Sequence, residues 1–226
     1  MRIISQILPR RFRLRLRRAF DSLYCRPIPD KETLGTSSSS QWTIVIRDMS
    51  PDAVIYSGGV GGDVTFEQEL IRRFGVEVHI FDPSPIARNT IAQAHSEHLH
   101  FEPIGLSGSK EAKFSVGGGS DDKVWFKAGD GDAATCTSLP QEMEKNGHHS
   151  IDLLKIDIEG FEYEVLECCL AQDIPIKQIC VEFHDFFPEI PKSKTKGMIR
   201  KLKSHGFDLI HRHRHDHTFL QRNIMP

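Results

Sequence analysis

A chain of 226 residues can build one sizeable core and is too short for two full domains. Its 38% apolar and 27% charged residues are the proportions of a folded globular protein, which excludes a disordered chain, and no apolar run reaches the roughly 18 residues of a membrane span. The net charge of -2 conceals an asymmetry, because residues 1–18 hold seven arginines and no acid while the remainder holds 22 basic side chains against 31 acidic ones.

In that basic arm Ile3, Ile4, Ile7, Leu8, Phe12, Leu14, Leu16 and Phe20 interleave with the arginines and are interrupted near Pro9. The pattern suits a helix lying on anionic lipid, so peripheral membrane contact through residues 1–20 is one expectation. A solvated cap helix packed on the domain is the second. A mitochondrial presequence is the third, since the segment is rich in arginine and poor in acids. No secretory h-region is evident, and the expected location is cytoplasmic. Gly35 to Ser40 (GTSSSS) reads as a polar linker. Residues 1–40 are therefore predicted as arm and linker, and residues 41–226 as the folded domain.

Ala53 to Tyr56 (AVIY) predicts a buried strand that opens into SGGVGG. Thr65 then starts a helix whose Phe66, Leu70, Ile71 and Phe74 share a face and which Gly75 ends. Val76 to Phe81 is the next strand, followed by Asp82, Pro83 and a helix over about residues 86–96. Leu99 to Ile104 makes a third strand. Segments around AKFSVG and KVWFKAG predict an antiparallel hairpin with its polar turn at Gly117 to Asp122. Ser138 caps a short helix that Gly147 stops.

Ile151 to Asp157 is the fourth strand, Phe161 to Leu170 a helix and Gln178 to Phe183 (QICVEF) the fifth strand. A basic helix over Lys194 to Ser204 precedes two closing strands, Phe207 to Ile210 and Thr218 to Gln221. Alternating strands and helices predict an α/β fold: a doubly wound, mostly parallel sheet covered on both faces, with an antiparallel C-terminal pair. The five cysteines show no CxxC spacing, so neither a disulfide framework nor a zinc ribbon is expected.

Ligands of such sheets bind beyond the carboxyl ends of the strands, which here read SGGVGGD, DPSP, DIEG and EFHDF. Ser57, Gly58, Gly59, Gly61 and Gly62 let a ligand approach bare backbone, with Asp63 next to them. Asp82, about 20 residues on, is placed for the hydroxyls of a ribose. Asp157 and Glu159 lie two apart, so a strand continued through them would aim both at the site, and Gly160 permits the turn into the next helix. Carboxylates there can bind a divalent metal, orient an amine or hydroxyl, or take a proton. The alternative makes Asp157 a helix cap and Glu159 a first-turn acid. Glu182 and His184 repeat the two-residue spacing, and a glutamate within ICVEFH is costly unless paired or functional.

With these stretches in view the sequence resembles the FkbM-type S-adenosylmethionine-dependent methyltransferases. LLKIDIEGFEYEVLE is similar to that family's KIDxEGxE hallmark through Lys155, Ile156, Asp157, Glu159, Gly160 and Glu162, and the likeness runs from about Thr43 to Leu220. The resemblance implies the Rossmann-like, mostly parallel seven-stranded sheet of class I methyltransferases, with S-adenosylmethionine held by the glycine loop and Asp82. It further implies a hydroxyl acceptor on a sugar, polyketide or related metabolite, facing Asp157, Glu159, Glu182 and His184. The acid usual at the end of the first strand is replaced by Tyr56 or Ser57, leaving Asp63 or Asp157 for the methionine amine.

Competing readings are a nucleotide-dependent dehydrogenase and a non-catalytic binder of anionic surfaces. The first is disfavoured because GxGxxG counted from Gly59 meets Val64. No sequence-specific nucleic acid partner is expected from a basic arm without stacking platforms. In HRHRHDH, an extended strand would set His211, His213, His215 and His217 on one side, a pattern able to bind a transition metal, whereas a hairpin turn would leave them solvated.

Overall fold

A computed structural model describes residues 24–37, 40–47, 49–108, 114–118, 124–128 and 135–224. The predicted arm as far as residue 23 and the predicted turn at 119–122 lie outside the described residues. Elements follow in the order β1 (Lys31–Leu34), β2 (Trp42–Val45), β3 (Ile55–Gly58), α1 (Thr65–Phe74), β4 (Val78–Phe81), α2 (Pro85–Ala94) and β5 (Leu99–Glu102). Then come β6 (Gly105–Leu106), β7 (Phe114–Gly118), β8 (Val124–Ala128), β9 (Cys136–Thr137) and α3 (Leu139–Asn146). The chain closes with β10 (Ile151–Ile156), α4 (Glu162–Ala171), β11 (Ile176–Glu182), α5 (Lys192–Ser204), β12 (Phe207–His213) and β13 (Asp216–Gln221).

Local chemistry sets the ends of these elements. Ser84 Oγ accepts from Ala87 N at 3.1 Å at the start of α2, and Pro85 follows in a first turn that has no use for its missing amide. Gly75 and Gly147 end α1 and α3 at φ of 68° and 70°, in the left-handed region.

Seven strands form one sheet in the order β12-β13-β11-β10-β3-β4-β5. β11, β10, β3, β4 and β5 run parallel, and β13 is antiparallel to both of its neighbours. This is the seven-stranded class I sheet implied by the resemblance. Alternation along the strands sends side chains to two cores. Tyr56, Leu154, Ile156, Ile179 and Val181 pack with residues of α4 and α5 such as Tyr163, Leu166 and Leu202. Ile55, Leu153 and Cys180 face the other way, toward Phe66 and Leu70 of α1 and Trp42 and Ile44 of β2. The second core thus includes the β1–β2 pair. Gly35 to Ser40, expected as a linker, connects these two antiparallel strands, so the packed structure takes in Lys31–Leu34 ahead of Gln41.

The tail forms the expected hairpin, with a shorter turn than the whole of HRHRHDH. HRHRHDH is mostly strand, and the tight turn from β12 into β13 at Arg214 and His215 sets Arg212 opposite His217, so His217 shares a sheet face with Arg212 and not with His211 and His213. His217 is buried on β13, while His213 is exposed. His217 Nδ1 donates to the His215 carbonyl at 2.6 Å, and burial holds its pKa down at about 4. A folded-state pKa below the unfolded value of about 6.5 gives stability that is present above pH 6.5 and lost as pH falls toward 4. Acidification from pH 7 to 5 should therefore remove about 2 kcal/mol of the stability difference between wild type and His217→Gln. Chemical denaturation of both proteins at the two pH values measures this, and a pH-independent difference would contradict it. Among the described residues, no helix is long and apolar enough to cross a membrane.

Candidate active site

The chain leaves β3 toward β4 on one side, whereas β10 pairs with β3 on the other, in register from Leu153↔Ile55 to Ile156↔Gly58. Loops after β3 and β10 therefore part at a topological switch point, where open α/β sheets hold their ligands. A cavity of about 640 Å³ opens there, the size of small-molecule sites. Its wall brings together Gly59, Gly61, Gly62, Asp63, Asp82, Asp157, Glu159, Glu182 and His184. Ser57 and Gly58 lie within β3, buried beneath the loop and outside the lining.

The glycine loop is sterically required at Gly59. Its φ is +76°, and a Cβ there would sit 1.8 Å from the carbonyl oxygen of Asp157, so only glycine lets the loop cross the end of β10. At Gly61, by contrast, a Cβ would meet nothing within 4 Å. Asp82 lies under the loop with its Oδ2 accepting from Val60 N and Gly61 N, both at 2.9 Å, and its Oδ1 from Ser84 N at 2.8 Å. Those bonds leave about one of a carboxylate's four acceptor positions for a ribose hydroxyl.

Asp63 is committed to protein partners: it accepts from Thr65 N at 2.9 Å, Thr65 Oγ1 at 2.6 Å and Ser37 Oγ at 2.6 Å. Burial raises its pKa, but these donors outweigh it and the net shift is downward. Another carboxylate lies in the wall beneath the first strand's end. Glu67, 1% exposed in the first turn of α1, accepts from Ser57 Oγ at 2.6 Å. Sequence reasoning missed it, although a charged residue beside Phe66 and Leu70 on the buried face of α1 was the available signal. Lys155 is buried too; its ammonium bonds the Gly59 carbonyl and lies 5.8 Å from the Trp42 ring centroid.

On the other side of the cavity the strand ends at Ile156, so strand alternation does not carry Glu159 to the site as expected. A turn does: Glu159 has φ of 54° and Gly160 of 104°, folding the backbone so that Glu159 rejoins Asp157 beside His184. Glu162 holds this turn by accepting from Ile158 N and Gly160 N, both at 3.0 Å. That leaves no capping role for Asp157, because Phe161 precedes α4 without a side-chain cap. His184 Nε2 is 3.3 Å from Glu159 Oε2 and 3.7 Å from Asp157 Oδ1, and its Nδ1 is 2.7 Å from Glu162 Oε1.

Burial alone would strip the His184 proton, but Glu159, Glu162 and Asp157 outweigh it and raise the pKa to about 11, keeping an imidazolium at neutral pH. Burial and the Asp157 charge push Glu182 up to about 8. Asp216, opposite Glu182 across β11 and β13, rises to about 7 for the same two reasons. Asp157 is raised as well, first by burial, with Lys155 and His184 acting against it. The wall thus pairs a bare-backbone loop with a carboxylate cluster able to hold or take a proton. Phe161, Phe186 and Phe187 complete the lining beside it.

A family model described as "Methyltransferase FkbM domain" matches residues 51–209. The human "Probable methyltransferase-like protein 24" is 26% identical, with the match covering 85% of this chain and 55% of that protein. Its rat counterpart is also 26% identical, over 75% of this chain and 46% of that protein. The chain spans about half the length of the curated relatives it matches. Among solved structures, the Methanococcus jannaschii fibrillarin pre-rRNA processing protein is similar at 14% identity and a TM-score of 0.45, over 77% of this chain and 68% of that one.

Proposed function

The chain belongs to the FkbM methyltransferase family, and from that premise we propose that it is an S-adenosylmethionine-dependent methyltransferase acting on a hydroxyl of a small metabolite or glycan. The observation that carries this reading is the single cavity wall joining the glycine loop and Asp82 to Asp157, Glu159, Glu182 and His184. The residues present fit the cofactor: exposed loop backbone for its adenosine side, Asp82 with an acceptor position left for a ribose hydroxyl, and buried Glu67 toward the methionine amine in place of the missing first-strand acid. When bound, S-adenosylmethionine supplies an electrophilic methyl group on a sulfonium.

The protein's own residues align the acceptor and manage its proton. Asp157 would take the hydroxyl proton at a carboxylate oxygen, leaving the acceptor oxygen free to act as the nucleophile. Its raised pKa makes it a better base than a solvated aspartate. Imidazolium His184 keeps the surrounding carboxylates from repelling one another apart.

Calorimetric titration with S-adenosylmethionine, followed by a labelled-methyl screen of hydroxylated metabolites, tests the reading. Binding of nicotinamide dinucleotide in its place would overturn it. Asp82→Ala should weaken cofactor affinity by about 1–3 kcal/mol, since the loop amides and a ribose hydroxyl lose a charged acceptor. Equal affinity in a folded variant would remove Asp82 from the cofactor site. The hydroxyl acceptor is drawn from the family likeness, and contact of residues 1–20 with anionic membrane from the arm's own arginines and apolar residues. For the arm, seven arginines among apolar side chains should bind phosphatidylserine vesicles with an affinity that falls as salt rises. Equal sedimentation of full-length protein and a variant lacking residues 1–20 would refute the contact.

A further inference from the structure

We propose that Asp157, Glu182 and His184 form a binding site for a divalent cation of the Mn²⁺ or Mg²⁺ type. One ligand atom from each lies within 4.8 Å of the others, and all three line the cavity. Neighbouring ligands of an octahedral ion with bonds of about 2.1 Å are about 3.0 Å apart and opposite ones about 4.2 Å, so small side-chain rotations close the set. Two carboxylates and one imidazole favour an oxygen-seeking ion that also accepts nitrogen.

A second observation concerns the histidine. Ligating imidazoles are oriented by a carboxylate at the other ring nitrogen. Glu162 stands beside that nitrogen: fully buried, its Oε1 lies 2.7 Å from Nδ1 as a charge partner off the line of a hydrogen bond, and it is itself fixed by the amides of Ile158 and Gly160. Nε2 is left facing Asp157 and Glu159. The carboxyl groups of Asp157, Glu159, Glu162, Glu182 and Asp216 also outnumber the cations near them, His184, Lys155 and Arg214. A divalent ion that displaces the His184 Nε2 proton, leaving a neutral imidazole as its ligand, adds net positive charge to this cluster.

Binding of the ion is independent of methyl transfer. Its use there, holding the acceptor oxygen and easing loss of the hydroxyl proton, rests on the reading above. The experiment titrates full-length protein with Mn²⁺, without cofactor, and follows the ion by electron paramagnetic resonance with detection of nitrogen coupling. One ion per chain, coupled to an imidazole nitrogen, is expected. Glu182→Gln and His184→Gln should each weaken binding about tenfold or more, and Glu162→Gln about 10- to 100-fold through its hold on His184. Glu77→Gln, at a surface carboxylate between His98 and His100, should bind as wild type does. Thermal midpoints establish that each variant is folded. Absence of bound Mn²⁺ at millimolar concentration, or equal binding by the folded Glu182 and Glu162 variants, overturns the site. Cofactor calorimetry on the same protein separates the two readings: Mn²⁺ binding without S-adenosylmethionine binding keeps the site and defeats methyl transfer.

Discussion

Asp157→Asn is expected to lower the rate constant of methyl transfer by about 10²- to 10⁴-fold while leaving the protein folded. Asparagine keeps the size of the side chain and removes the charge proposed to take the acceptor proton or bind a cation. Stability is the informative companion measurement. The turn after β10 is held by Glu162, not by Asp157, and the carboxylate sits among like charges, so neutralising it should leave the thermal midpoint unchanged or raise it. Turnover and midpoint measured together on one preparation decide the matter. Near-normal turnover would remove Asp157 from the chemistry, and a collapse of the midpoint would recast it as structural.

Gly59→Ala should act through geometry. A methyl group at this position meets the Asp157 carbonyl at 1.8 Å, from a backbone already at φ +76°. Left-handed strain alone costs about 1–3 kcal/mol, and the loop must also move off β10. With about 2–4 °C per kcal/mol in a chain of this size, the midpoint should fall by about 4–8 °C, and calorimetric binding of the cofactor should be lost. Gly61→Ala is the control, because its Cβ points into open space and only the strain term applies. Equal losses in the two variants would show that the crossing of the loop over β10 does not matter.

Much of this arrangement was legible in the residues. Apolar runs bounded by glycine marked the strands, and a parallel sheet has to open at the ends of those runs, so SGGVGGD, DPSP, DIEG and EFHDF were found together. Polar groups that the fold buries were harder to find. Glu67 reads as an ordinary first-turn acid until its helix is packed against β3, and the roles of Lys155 and Glu162 depend on a carbonyl and an imidazole far away in sequence. Strand alternation brought Glu159 to the right place for the wrong reason, since a left-handed turn and not a continued strand carries it there. A single alternation does not run through HRHRHDH, because the chain reverses at Arg214 and His215 and places His217 on the face opposite His211 and His213. GTSSSS has the composition of a linker, but the strands it joins reveal themselves only by their pairing.

The pairing of β3 with β10 also bears on how the protein comes into being. Ile55 and Leu153 are nearly a hundred positions apart, and the loop over Gly59 rests on the carbonyl of Asp157. Closing so long a stretch of chain is slow compared with forming the β3–α1–β4 unit from near neighbours. As the chain emerges during synthesis, Asp82 and the glycine loop are therefore available well before the carboxylates that complete their site. A molecule interrupted at that stage would present the glycine-loop half of the crevice without the carboxylates of the other half beside it. Competence for transfer should arrive late and all at once, with the docking of β10.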